Sequence, residues 1–154
     1  MTADVLSIAN KIQVTRPFII GCALVISGGL LRLSCYRELG RFFTFEMSVL
    51  EDHTLVTTGP YRFVRHPSYL AIAPILVGMT LAQMTRGSWL TESGAMDTYT
   101  GKILVCLWQL WGWYCWYQTL ARTPIEDEYL RKRFGQQWTD WQKKVPYRVL
   151  PGIF

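Results

Sequence analysis

Charged and metal-binding side chains are scarce in this 154-residue chain: 18% of residues are charged, two are histidine and four are cysteine. The cysteines Cys22, Cys35, Cys106 and Cys115 form no Cys-x-x-Cys pair, and three of them fall inside apolar runs. That pattern argues against a zinc site or a disulfide framework and leaves the thiols as small buried hydrophobes, so no metal is expected. Residues 1–16 are mixed and carry Asp4, Lys11 and Arg16, without the pattern of a cleavable signal. Membrane targeting is therefore expected to rest with internal segments. No internal repeat or low-complexity stretch stands out.

Apolar surface is what the chain has in excess. Half of its residues are hydrophobic and 14% aromatic, with 7 tryptophans and 8 tyrosines, and mean hydropathy is +0.12. Aromatic rings with a polar handle suit a membrane–water interface. The net charge of +5 sits on residues that flank apolar segments. This points to a lipid bilayer with anionic headgroups as partner and not to nucleic acid.

Three apolar runs, 17–33, 69–84 and 103–121, approach or reach the length of a spanning helix. Together they predict an all-α, polytopic membrane bundle of about three spanning helices, in a single domain over residues 1–154. An amphipathic helix over 1–16 precedes the first span, and Gly28-Gly29 within that span would allow another helix to approach closely. Residues 34–52 read as an amphipathic helix or extended connector, and 85–101, rich in Gly, Ser and Thr, as a loop. The third run is dense in Trp, the pattern of packing and interface anchoring. In the polar tail, 122–154, Pro124 sets the start of a helix over 126–134. Gly135 caps it, and a second short helix follows through Trp138 and Trp141. Arg32, Arg37, Arg41, Arg62 and Arg65 precede the second span, and Arg122 with six further Lys and Arg residues follows the third. The loop between those spans has only Arg86 and Lys102. The bias places the elbow at 53–69 and the tail on the cytoplasmic side, joined by a helix hairpin.

The elbow, HTLVTTGPYRFVRHPSY, holds both histidines, His53 and His66. Gly59-Pro60 marks a turn, and the residue before Pro67 is pushed out of the helical region. Tyr61, Arg62, Arg65, Ser68 and Tyr69 make it polar, aromatic and basic at the mouth of an apolar run. A charged small molecule could dock there. The same residues would also grip lipid headgroups.

The run LVTTGPYRFVRHPSY, the apolar helix after it, Arg122-x-x-x-Glu126 and the tail FGQQWTDWQKKVPYRVLPGIF resemble the isoprenylcysteine carboxyl methyltransferases over roughly residues 40–154. These are integral membrane enzymes of the endoplasmic reticulum with bacterial and archaeal relatives. The resemblance implies S-adenosylmethionine as cofactor and a prenylated C-terminal cysteine of CaaX-processed proteins as substrate. It implies a site in the endoplasmic reticulum membrane that faces the cytoplasm. Carried over by position, it implies a cofactor pocket lined by His53, Thr54, Leu55, Val56, Tyr61, His66, Pro67, Ser68, Tyr69 and Glu126. Glu46 stands where the family usually has a glutamine contacting the cofactor, and Glu126-Asp127 where it usually has a Glu-Glu pair. Arg122 is implied to face the substrate carboxylate and, with Glu126, to carry catalysis. Family members generally have further membrane helices ahead of this region. Two alternatives keep the fold: a phospholipid amine methyltransferase of the same superfamily, and a non-catalytic degenerate membrane paralogue.

Methyl esterification needs no strong base, because a carboxylate is already ionised at neutral pH; the work is positioning and desolvation. An arginine holds a carboxylate bidentately without losing its charge. Taken without the resemblance, Arg122 is also a snorkelling flank of the third span and Glu126 its i,i+4 ion-pair partner. Tyr61 and Tyr69 suit a sulfonium cation as well as they suit the interface.

Overall fold

The computed structural model describes residues 7–42 and 54–152, so Glu46 and His53 lie outside the described residues. Among the described residues every regular element is helical, in agreement with the all-α expectation. Two stretches, Arg16–Phe42 and Pro67–Glu92, are long and apolar enough to cross a membrane by length and composition. The chain divides into two compact units, Met1–Gly28 with Ala73–Cys115, and Gly29–Ile72 with Trp116–Phe154.

Helix α1, Arg16–Leu39, is longer than the apolar run that predicts it. Ser34, the first polar residue beyond that run, returns its hydroxyl to the Leu30 carbonyl at 2.9 Å. It therefore leaves no unsatisfied group to end the helix. Gly40, at φ +52°, ends it in the left-handed conformation that a helix C-terminus favours. A 3-10 turn over Gly59–Arg62 forms at the expected Gly-Pro signal. Helix α2, Pro67–Leu70, starts on its proline, and α3, Ile72–Met84, follows. Short helix α4, Trp89–Glu92, lies in the stretch read as loop; the Ser88 side chain caps it by accepting from Thr91 N.

The third apolar run lies inside α5, Tyr99–Phe134, a single helix of 36 residues that continues through Pro124. The expectation that Pro124 opens a separate tail helix is thus corrected, for a local reason. Proline cannot donate to the carbonyl four residues back, and the Thr123 hydroxyl donates to that Leu120 carbonyl at 2.9 Å instead. Gly135, at φ +56°, ends α5, and α6, Gln136–Lys144, follows.

In the first unit α1 and α3 approach at Gly21 and Gly78. A Cβ on Gly78 would lie 2.5 Å from the Gly21 carbonyl oxygen and 2.9 Å from Leu24 Cβ. Gly29, read from sequence as half of the approach point, faces open space. Gly78→Ala should therefore destabilise the protein by about 1–3 kcal/mol, while Gly29→Ala should be neutral or stabilising by up to about 1 kcal/mol. Thermal unfolding in detergent checks both. In the same unit Thr80 donates to Gln109 at 3.0 Å, giving this polar residue of the third run a partner on α3. The expected N-terminal amphipathic helix is helical over 7–9 and non-helical over 12–15. There Gln13 N donates to the Gly87 carbonyl at 3.0 Å and Thr15 meets Thr85 at 3.1 Å, which ties the segment to residues 85–87.

The second unit has its core in Cys35, Tyr61, Trp138, Trp141 and Val145, with Leu55, Val56, Leu130 and Phe134 packed around them. Trp138 and Trp141 lie three apart on α6, on one face. This core backs the elbow.

Candidate active site

The site is built in the second unit, where the start of α2 meets the C-terminal half of α5. His66 takes a non-helical backbone, φ −123° and ψ 62°, ahead of Pro67, in keeping with the bar that a following proline sets against the helical region. Its carbonyl accepts from Tyr69 N at 3.1 Å. This single turn puts residues 66 and 69 on one face, and their rings stack 5.6 Å apart at an interplanar angle of 5°. Near the break between α2 and α3 two carbonyls accept side-chain donors, Ser68 from Arg32 at 3.3 Å and Tyr69 from Trp116 at 2.9 Å. Arg32 also reaches the Tyr36 hydroxyl.

Glu126 enters from α5. Its carboxylate accepts from the Tyr69 hydroxyl at 2.7 and 3.0 Å, and its Oε2 lies 3.4 Å from His66 Nδ1. Arg122, one turn earlier, approaches Glu126 Oε1 at 3.6 Å. Continuity of α5 through Pro124 is what puts these two residues on one face. The Arg122 side chain is 47% exposed and that of Glu126 only 16%. An i,i+4 pair this long and this exposed is weak, about 0.3–0.5 kcal/mol. The guanidinium can therefore exchange Glu126 for another carboxylate.

Asp127, the next residue on α5, is 4% exposed. It accepts from Arg65 Nη2 at 3.1 Å and Arg148 Nε at 3.0 Å, and its Oδ1 lies 3.0 Å from His66 Nε2. Burial alone would raise its pKa; the hydrogen bonds and charges of His66 and Arg65 outweigh burial and hold the carboxyl below the usual carboxylate range. Arg65, itself 5% exposed, also donates to the carbonyls of Val145 at 2.9 Å and Pro146 at 2.7 Å. Backbone bonds complete the join: Arg65 N donates to Tyr147 O at 3.0 Å and His66 N to Arg148 O at 2.7 Å.

Of the residues implied by resemblance, His66, Tyr69, Arg122 and Glu126 thus come together, with Ser68 beside them. Thr54 is exposed, Leu55 and Val56 pack against the core, and Pro67 is fully buried. Tyr61 is sealed into the core at 8% exposure, and burial there pushes its hydroxyl pKa up. The Arg65–Asp127–Arg148 network is absent from the sequence reading of the site. Its one signal was a second acidic residue directly after Glu126, in a position turned about 100° around the helix.

The sequence model of the isoprenylcysteine carboxyl methyltransferase (ICMT) family matches residues 19–93. Protein-S-isoprenylcysteine O-methyltransferase B of Arabidopsis thaliana is 28% identical over 131 residues, 84% of this chain and 57% of that protein. The protein-S-isoprenylcysteine O-methyltransferase of Schizosaccharomyces pombe is 30% identical over 121 residues, 77% of this chain and 43% of its own length. That of Saccharomyces cerevisiae is 26% identical over 129 residues, 82% and 46%. The chain spans about half the length of the curated relatives it matches. No solved structure matches it. By these matches the chain is similar to the isoprenylcysteine carboxyl methyltransferase family.

Proposed function

We propose that this chain methylates the C-terminal carboxylate of a prenylated cysteine, using S-adenosylmethionine, in the endoplasmic reticulum membrane with its site toward the cytoplasm. The observation that carries this reading is the meeting of His66, Tyr69, Glu126 and Arg122 where the polar end of α5 follows its apolar run. The run over 103–121 is taken as a third span. Trp108, Trp111 and Tyr114 expose 42%, 65% and 51% of their surface there, as lipid-facing residues do.

The donor set fits the cofactor. Glu126, shielded and already accepting hydrogen bonds, suits an α-ammonium group, and the stacked His66–Tyr69 face suits an adenine or a sulfonium cation. When bound, S-adenosylmethionine supplies an electrophilic methyl group. Arg122 does the chain's part for the acceptor: it leaves its weak contact with Glu126, takes the substrate carboxylate in its fork and holds one oxygen toward the methyl. Glu126 then stays with the cofactor, so the two charges separate by ligand. Thr54, Leu55 and Val56, like His53 and Glu46, are assigned to the pocket from the resemblance alone. Tyr61 supports the elbow from behind, and Pro67 fixes the turn.

The test is transfer of a labelled methyl group to N-acetyl-S-farnesylcysteine by membranes containing this chain alone. A base-labile methyl ester is the expected product. Labelled phosphatidylethanolamine with no ester would make the chain a lipid amine methyltransferase, and no transfer to either would make it a non-catalytic member.

A further inference from the structure

The two adjacent carboxylates of α5 have divided labour. Glu126 faces Tyr69 and the half-exposed Arg122, whereas Asp127 is closed off from solvent and touches three groups. One is His66 of the elbow, at 3.0 Å from Nε2. Another is Arg65 of the elbow, bonded at 3.1 to 3.3 Å through Nη2 and Nε. The third is Arg148 of the C-terminal segment, at 3.0 Å. The imidazole is thus held edge to edge between Asp127 at Nε2 and Glu126 at Nδ1, 3.4 Å away. Its backbone N–H is meanwhile tied to Arg148 O at 2.7 Å.

Resting on the function proposed above, we infer that Asp127 is a positioning residue of the cofactor site. It turns the His66 ring so that one edge faces Glu126, and it clamps segment 145–148 against the elbow. Asp127 does not touch the ligand; it fixes the plane of His66 and, through the stack, the orientation of Tyr69. Its carboxyl, held ionised by its partners, keeps this clamp closed throughout the neutral range. Asn at this position keeps the shape but replaces one carboxylate oxygen with an NH2 that can accept from none of the three donors. The ring then keeps its Tyr69 stack and its Glu126 contact but loses the charged anchor at Nε2 that sets its plane.

The inference separates from a purely structural role by coupling. S-adenosylmethionine binding is measured by calorimetry on the full chain in detergent micelles, for the wild type, Asp127→Asn, His66→Gln, the double variant and Arg148→Gln. If Asp127 acts through His66, each single change weakens binding about tenfold and the double variant is scarcely weaker than either. Arg148→Gln, which removes a clamp contact without touching the His66 ring, weakens it less than about threefold. Asp127→Glu keeps the charge and lengthens the arm, and it serves if Asp127→Asn does not fold. It is expected to bind about tenfold more weakly, because the clamp depends on position as well as charge. Unchanged affinity in the Asp127 variants, or losses that simply multiply in the double variant, would overturn the inference. A wild-type chain that binds no S-adenosylmethionine would remove the functional reading, and the inference with it.

Discussion

Glu126→Ala and Arg122→Ala are each expected to reduce methyl transfer to the level of membranes lacking the chain, with insertion into the bilayer unchanged. Glu126 accepts both Tyr69 contacts, at 2.7 and 3.0 Å, and stands between His66 and Arg122. Its removal leaves the Tyr69 hydroxyl without its acceptor and leaves two basic groups facing each other with no anion between them. A buried donor left unpaired costs about 1–3 kcal/mol, and in the proposed complex the cofactor's ammonium group would be left unpaired too. Arg122→Ala acts by a different route. Exposed as it is, Arg122 adds little to stability, so its loss should leave the unfolding midpoint nearly unchanged and appear only in turnover. Arg122→Lys keeps the charge but not the fork, and partial activity is expected from it. Ester formed per unit of carbonate-resistant protein is the readout. Near-normal turnover in either alanine variant contradicts the assignment.

Arg65→Ala is expected to be the most damaging change to stability in the second unit. The guanidinium spends its donors on Asp127 and on the carbonyls of Val145 and Pro146, at 2.7 to 3.3 Å. Removing one member of a buried ion pair costs about 3–5 kcal/mol, and the loss of two carbonyl partners adds to it. Lys does not rescue, since one ammonium cannot span the three acceptors. The same network sets a pH dependence. The folded-state pKa of Asp127 lies below its ordinary value of 3.8. Its contribution to stability is therefore complete above that value and disappears as the pH falls through the lower, folded one. Acid titration of the tertiary Trp signal should show a loss of stability below pH 3.8 that is weaker in Asp127→Asn. An identical acid profile in that variant would separate the network from the acid response.

The elbow was legible because proline and glycine act locally. Gly59-Pro60 became a 3-10 turn, His66-Pro67 the start of α2, and Gly135 the end of α5. The same local logic misled at Pro124, where the missing N–H is offset by the Thr123 hydroxyl; a one-residue reading of breakers does not include such side-chain compensation. Gly21 was overlooked beside the more conspicuous Gly28-Gly29. Which glycine meets a neighbour depends on where α3 crosses, and neither helix encodes that alone. Arg122 and Glu126 could be placed together because i,i+4 spacing is a property of one helix. Asp127 could not, since its partners lie at 65, 66 and 148 and only the folded chain brings the elbow and the tail to one carboxylate. Its burial among arginines is a tertiary fact that leaves little trace in the sequence around it.

The central claim, that the elbow and the polar part of α5 form a methyl-donor pocket, is tested most directly by photolabelling. The full chain in membranes is irradiated with S-adenosylmethionine carrying a labelled methyl group, and the labelled peptides are mapped. Label within 61–69 or 122–134, displaced by unlabelled S-adenosylhomocysteine and lost in Glu126→Ala, is the predicted result. Displaceable label on residues 85–101, or no displaceable label at all, would contradict the account.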